Sequence, residues 1–112
     1  MTKNQEWSGD IDVFADQVLV WREEQGFKTP RAFDTEQLKM EMLGKLMLVV
    51  TELSEAAEAV RHGDWANFKE EMADTFIRIC DITATTGMSL KLASHEKMIV
   101  NAARPHKHGK HC

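Results

Sequence analysis

The chain has 112 residues, 43% of them apolar and 29% charged, with a formal net charge of −4. That length suits one domain, and the composition excludes an intrinsically disordered chain. The acidic balance argues against a nucleic-acid binder, and no apolar run approaches the ~18 uninterrupted residues of a membrane span.

The first predicted helix runs roughly from Asp10 to Gln25, because Ile11, Phe14, Val18 and Trp21 recur at helical spacing and Gly26 is a natural stop. A connection containing Pro30 follows. The second helix is expected to open at Asp34, with Gln37 three residues later as a capping-box partner, and to continue to His62 before Gly63. The third opens at Asp64 and runs to about Thr86, with Gly87 as its stop. The fourth opens at Ser89 and ends before Pro105, since the residue preceding a proline avoids the helical region. No strand-like alternation is present. Short connections imply antiparallel neighbours, so the expectation is an all-α four-helix bundle over residues 1–112, completed by dimerisation. Residues 104–112 form a basic, His-rich tail.

Cys80 and Cys112 make no CxxC motif or disulfide framework, and the N-terminal residues carry no apolar h-region. Both features point to a reducing cytoplasmic setting rather than export.

The chemistry is expected from four carboxylates. Glu52 and Glu55 stand at i,i+3 on the second helix, on one face. Val49, Leu53, Ala56 and Val60 form the adjoining apolar arc, while Thr51, Ser54, Glu58 and Arg61 read as the wet face. Glu71 and Asp74 repeat the spacing on the third helix, with Asp81 further along the same stripe and Phe68, Met72, Phe76 and Ile79 on the apolar side. Glu55 lies eight residues before Gly63 and Glu71 eight after it; Glu52 and Asp74 are both eleven away. Across a tight antiparallel turn, Glu55 should face Glu71, and Glu52 should face Asp74. Four converging carboxylates repel unless cations lie between them, and an all-oxygen ligand set suits Mg²⁺ or Mn²⁺ better than Zn²⁺. Acidic pairs at this spacing are also common on solvated helices; the symmetry about one turn is what raises these above that background. The chain has no Glu-x-x-His, which argues against a di-iron carboxylate bundle.

Glu52-Leu53-Ser54-Glu55, followed by Glu71-Met72-Ala73-Asp74, resembles the ExxE…ExxD signature of the MazG-like, all-α nucleoside triphosphate pyrophosphohydrolases. The stretch Lys97-Met98-Ile99-Val100-Asn101-Ala102-Ala103-Arg104-Pro105, with His108-Gly109-Lys110, resembles that family's KxxxNxxRP…HGK tail. The likeness spans roughly residues 21–110. It implies Mg²⁺-dependent hydrolysis of (d)NTP to monophosphate and pyrophosphate, in a homodimer or homotetramer. It also implies that Glu52, Glu55, Glu71 and Asp74 are metal ligands; general acid–base chemistry adds the expectation that Glu52 or Glu55 orients the attacking water. Lys97, Asn101, Arg104 and Lys110 become substrate-binding residues. A phosphoribosyl-ATP or dUTP/dCTP pyrophosphatase, or a non-catalytic helical interaction module, is the alternative. For the base, Trp7, Trp21 and Trp65 offer stacking faces. Trp21 and Trp65 also fit apolar stripes, so core packing is the expected role for those two.

Overall fold

The computed structural model describes residues 6–27 and 35–105. It contains four helices: α1 (Ile11–Glu24), α2 (Glu36–Arg61), α3 (Trp65–Thr86) and α4 (Leu90–Ala102), with no strand among the described residues.

Each start is set by a side-chain cap. Asp10 accepts from the amides of Asp12 and Val13, Asp64 from Asn67, and Ser89 from Leu92. The start of α2 differs from expectation. Its N-cap is Thr35, one residue beyond Asp34, and the hydroxyl accepts from the amide of Leu38. Leu38 is apolar and has no carboxylate or amide to return, so the reciprocal half of a capping box is absent there. At the far end of α3, Gly87 takes φ +71° and closes a Schellman-like end, with the Met88 amide on the Thr83 carbonyl.

The centre of the fold is α3. It packs along α2 on one side and α1 on the other, and α4 touches α1. The tightest cluster joins Ala15 and Val18 of α1 to Cys80 of α3, with Phe14 and Ala84 against it. Phe14 stacks on Phe76 and takes Trp7 on its edge. Burial removes solvent from Cys80 completely and pushes its thiol pKa up.

Covered and bare residues alternate along α2. Val49 and Ala56 of its predicted arc are buried, whereas Leu53 and Val60 are not. Trp21 and Trp65 are 44% and 62% exposed, so neither is a core residue of the single chain. The buried positions of α3 are Thr75, Cys80, Asp81 and Thr83, while Met72 and Phe76 of its predicted apolar side stay partly open.

A polar clasp attaches α4. Asp12, in the first turn of α1, accepts from the Ser89 hydroxyl and the Lys91 amide, and Lys91 Nζ pairs with Asp10 at 2.8 Å. These donors hold both aspartates below the usual carboxylate range, chiefly through Ser89 for Asp12 and Lys91 for Asp10. Beyond the clasp, α4 has no buried residue.

Candidate functional site

The turn at Gly63 brings α2 and α3 together antiparallel, and one oxygen from each of Glu52, Glu55 and Glu71 lies within 4.8 Å of the others. Asp74 stands outside this group. It lines the cavity between α1, α2 and α3 instead. The expected Glu52–Asp74 opposition is replaced by contact of Glu52 with Arg78, whose Nε donates to Glu52 Oε1 at 2.9 Å. Glu52 thus spans from Glu71 to Arg78, the residues on either side of Asp74 along α3.

The cluster is electrostatically uneven. Glu52 is held low by its contacts with Glu71 and Arg78. Glu71 is pushed up to about 7, first by sharing a hydrogen bond with Glu52, then by loss of solvent and by Glu55. Two carboxylates at this distance hold one proton between them more easily than two charges. Glu71 Oε2 is buried and has no hydrogen-bond partner among the described residues. A buried carboxylate oxygen facing other carboxylate oxygens needs a proton or a cation. The orphaned oxygen and the hard, all-oxygen donor set fit a divalent cation of the Mg²⁺ type. Glu55 is the exposed member, so the group opens toward water.

Two hollows flank the carboxylates. One, about 300 Å³, lies toward the turn and is lined by Glu55, Glu58, Ala59, His62, Asp64, Asn67 and Glu71. The other, about 350 Å³, lies between α1, α2 and α3. Its walls combine Val18, Trp21, Phe27, Leu48 and Ile77 with Arg22, Lys45, Arg78, Asp74 and Asp81. Asp81 accepts from Arg22 Nε at 2.7 Å and Lys45 Nζ at 2.5 Å, with all three side chains largely covered. It is thus a neutralised wall residue, although it shares the stripe of Asp74.

On α4, Lys97 borders a shallow depression with Ala93, Ser94 and Met98. Asn101 is exposed, and its Nδ2 lies 4.0 Å from Met98 Sδ. Arg104 is half-buried just past the helix. Among the described residues, no hydrogen bond or ion pair links these three to Glu52, Glu55 or Glu71. Lys110 lies outside the described residues, as do His106, His108, His111 and Cys112.

Arg22, Lys45 and Arg78 are the site residues that sequence reasoning passed over. One signal for them existed: Lys45 and Asp81 are each eighteen residues from Gly63, the same symmetry that marks the glutamates. Arg78 is four residues past Asp74 and seven past Glu71, on one helical stripe.

In comparisons with protein-family models, curated proteins and solved structures, nothing matches this chain.

Proposed function

We propose that this protein is a Mg²⁺-dependent nucleoside triphosphate pyrophosphohydrolase that converts a (d)NTP to its monophosphate and pyrophosphate, in nucleotide-pool housekeeping. The observation that carries the reading is the Glu52–Glu55–Glu71 cluster, with its orphaned Glu71 oxygen, next to a cavity that offers aromatic faces and cations together.

Glu52, Glu55 and Glu71 would hold Mg²⁺ (Mn²⁺ as a substitute), with Asp74 one turn on from Glu71 as the remaining ligand. The cation supplies charge neutralisation on the phosphates and a more acidic bound water. Glu55 is open to solvent and is suited to orient the attacking water, whereas Glu52 is engaged by Arg78. The apolar wall of the cavity, with Trp21 44% and Phe27 61% exposed, suits a nucleobase. Positioning and charge neutralisation are most of what phosphoryl transfer asks of a protein.

The reading includes a homodimer or homotetramer. In its support, α2 exposes Met40, Leu43, Leu46, Met47, Val50 and Leu53, and α4 exposes Met98, Ile99 and Val100. Apolar surface of this extent is rarely left to water. A second copy laid on it would complete the bundle. Lys97, Asn101 and Arg104 remain the proposed nucleotide-side residues, and their approach to a carboxylate cluster is assigned to the assembled oligomer. No helix among the described residues is long and apolar enough to cross a membrane. The buried free thiol of Cys80 accords with a cytoplasmic setting.

The same bare apolar faces favour a second reading, a helical interaction module without catalysis. Incubation with each common NTP and dNTP, in Mg²⁺ or EDTA, separates the two. Monophosphate plus pyrophosphate, lost in EDTA and in Glu55→Gln, is the result expected. Diphosphate plus phosphate would overturn the reaction assignment, and no turnover by a folded, Mg²⁺-supplied protein would favour the interaction module.

A further inference from the structure

Three cations line the cavity between α1, α2 and α3, and they are not equivalent. Arg22 and Lys45 are turned onto Asp81 and largely covered, with side chains 13% and 16% exposed. Arg78 is 40% exposed and engages Glu52 through Nε alone. Its two terminal nitrogens have no hydrogen-bond partner among the described residues. A guanidinium offers five N–H donors in a planar fork, and a fork with its outer edge open is the geometry that takes two oxygens of one phosphate.

Position adds to this. Along α3 the order is Glu71, Asp74, Arg78, Asp81, so Arg78 separates the carboxylate cluster from the neutralised end of the cavity. A chain of phosphates leading from the cluster to a nucleoside against Trp21 and Phe27 has to pass it. Stability alone is a weak explanation for the pair, because ion pairs with a solvent-exposed partner contribute little.

We propose that Arg78 is a substrate-phosphate residue of this site, binding phosphate oxygens with its terminal amino groups while its Nε fixes the Glu52 carboxylate. This assignment rests on the hydrolase reading above for the nature of the substrate. One side chain then contacts both the phosphate chain and a proposed cation ligand. Removal of Arg78 lowers affinity for the phosphate chain and leaves the carboxylates in place.

The test uses the full chain and two probes, Mn²⁺ alone and inorganic pyrophosphate with Mg²⁺, each titrated calorimetrically. Arg78→Gln is expected to bind Mn²⁺ within about threefold of wild type and to bind Mg-pyrophosphate at least tenfold more weakly, a loss of about 1.4 kcal/mol. Arg78→Lys keeps a point charge without the fork, so it should fall between the two and also covers poor folding of Arg78→Gln. If a hydrolysed nucleotide is found, both variants should raise KM as well as lower kcat. Unchanged pyrophosphate affinity in both variants would reduce Arg78 to an ion-pair partner of Glu52. Wild type that binds Mn²⁺ but not Mg-pyrophosphate would also overturn the assignment. Failure of the hydrolase reading itself would look different: pyrophosphate binding that depends on Arg78, with no nucleotide turned over.

Discussion

Glu71 and Asp81 lie ten residues apart on one helix and have opposite surroundings. Asp81 receives Arg22 and Lys45, with the Thr85 hydroxyl one turn away. Glu71 receives two other glutamates and keeps a buried oxygen without a donor among the described residues. A fold that satisfies one acid with two cations had the means to satisfy the other. Asp81 therefore ties α1, α2 and α3 together, while Glu71 sits among carboxylates with an unpartnered oxygen, the arrangement on which the proposed cation site rests.

Several experiments break or sharpen that contrast. The largest effect is expected on catalysis. On the hydrolase reading, Glu55→Gln should lower kcat by about 10² or more, with little change in melting temperature, as read in a pyrophosphate-release assay. Asp81→Asn should do the reverse. Stranding two largely covered cations costs about 3 kcal/mol, seen as a Tm lower by roughly 12–24 °C, with Mg²⁺ affinity preserved. If Asp81→Asn abolished metal binding while leaving Tm alone, the division between the two acids would be wrong.

Saturating Mg²⁺ should stabilise the wild type by about 2.7 kcal/mol at a hundredfold excess over Kd, and Glu71→Gln should lose most of that gain in thermal melts. A smaller signature is a pH slope. The folded-state pKa of Glu71 is raised to about 7 from 4.5, so between those values the folded state binds more protons than the unfolded one. Stability of the metal-free protein should therefore fall as pH rises from about 4.5 through 7. Glu71→Gln should flatten that fall in denaturant titrations across the range. The smallest effect belongs to the start of α4. Ser89→Ala removes the cap of α4 and a donor to Asp12, costing about 1 kcal/mol at most in chemical denaturation.

Much of this was readable from the residues. The caps at Asp10, Asp64 and Ser89 and the glycine stop at Gly87 placed three helices to within a residue or so. Distances from Gly63 placed Glu52, Glu55 and Glu71 together. The rest depends on information that local pattern does not hold. Arg22 and Asp81 are 59 residues apart, and their pairing follows from how α1 seats on α3. Asp74 lies outside the 4.8 Å group and lines the cavity, a distinction that a count of residues from the turn does not make. Trp21 and Trp65 fit a helical stripe, but periodicity shows only that a face is apolar, not whether the same chain covers it.

The clasp that attaches α4 has a consequence for motion. An element that buries none of its residues can detach without disturbing the remainder, at a free-energy cost well below that of global unfolding. Backbone amides of α4 should then exchange with deuterated water much faster than those of α3 in dilute protein. Protection should rise with protein concentration wherever a second copy covers Met98, Ile99 and Val100. The fourth helix would in that case be ordered by assembly rather than by the fold of its own chain, and its exchange rate would report the subunit equilibrium directly.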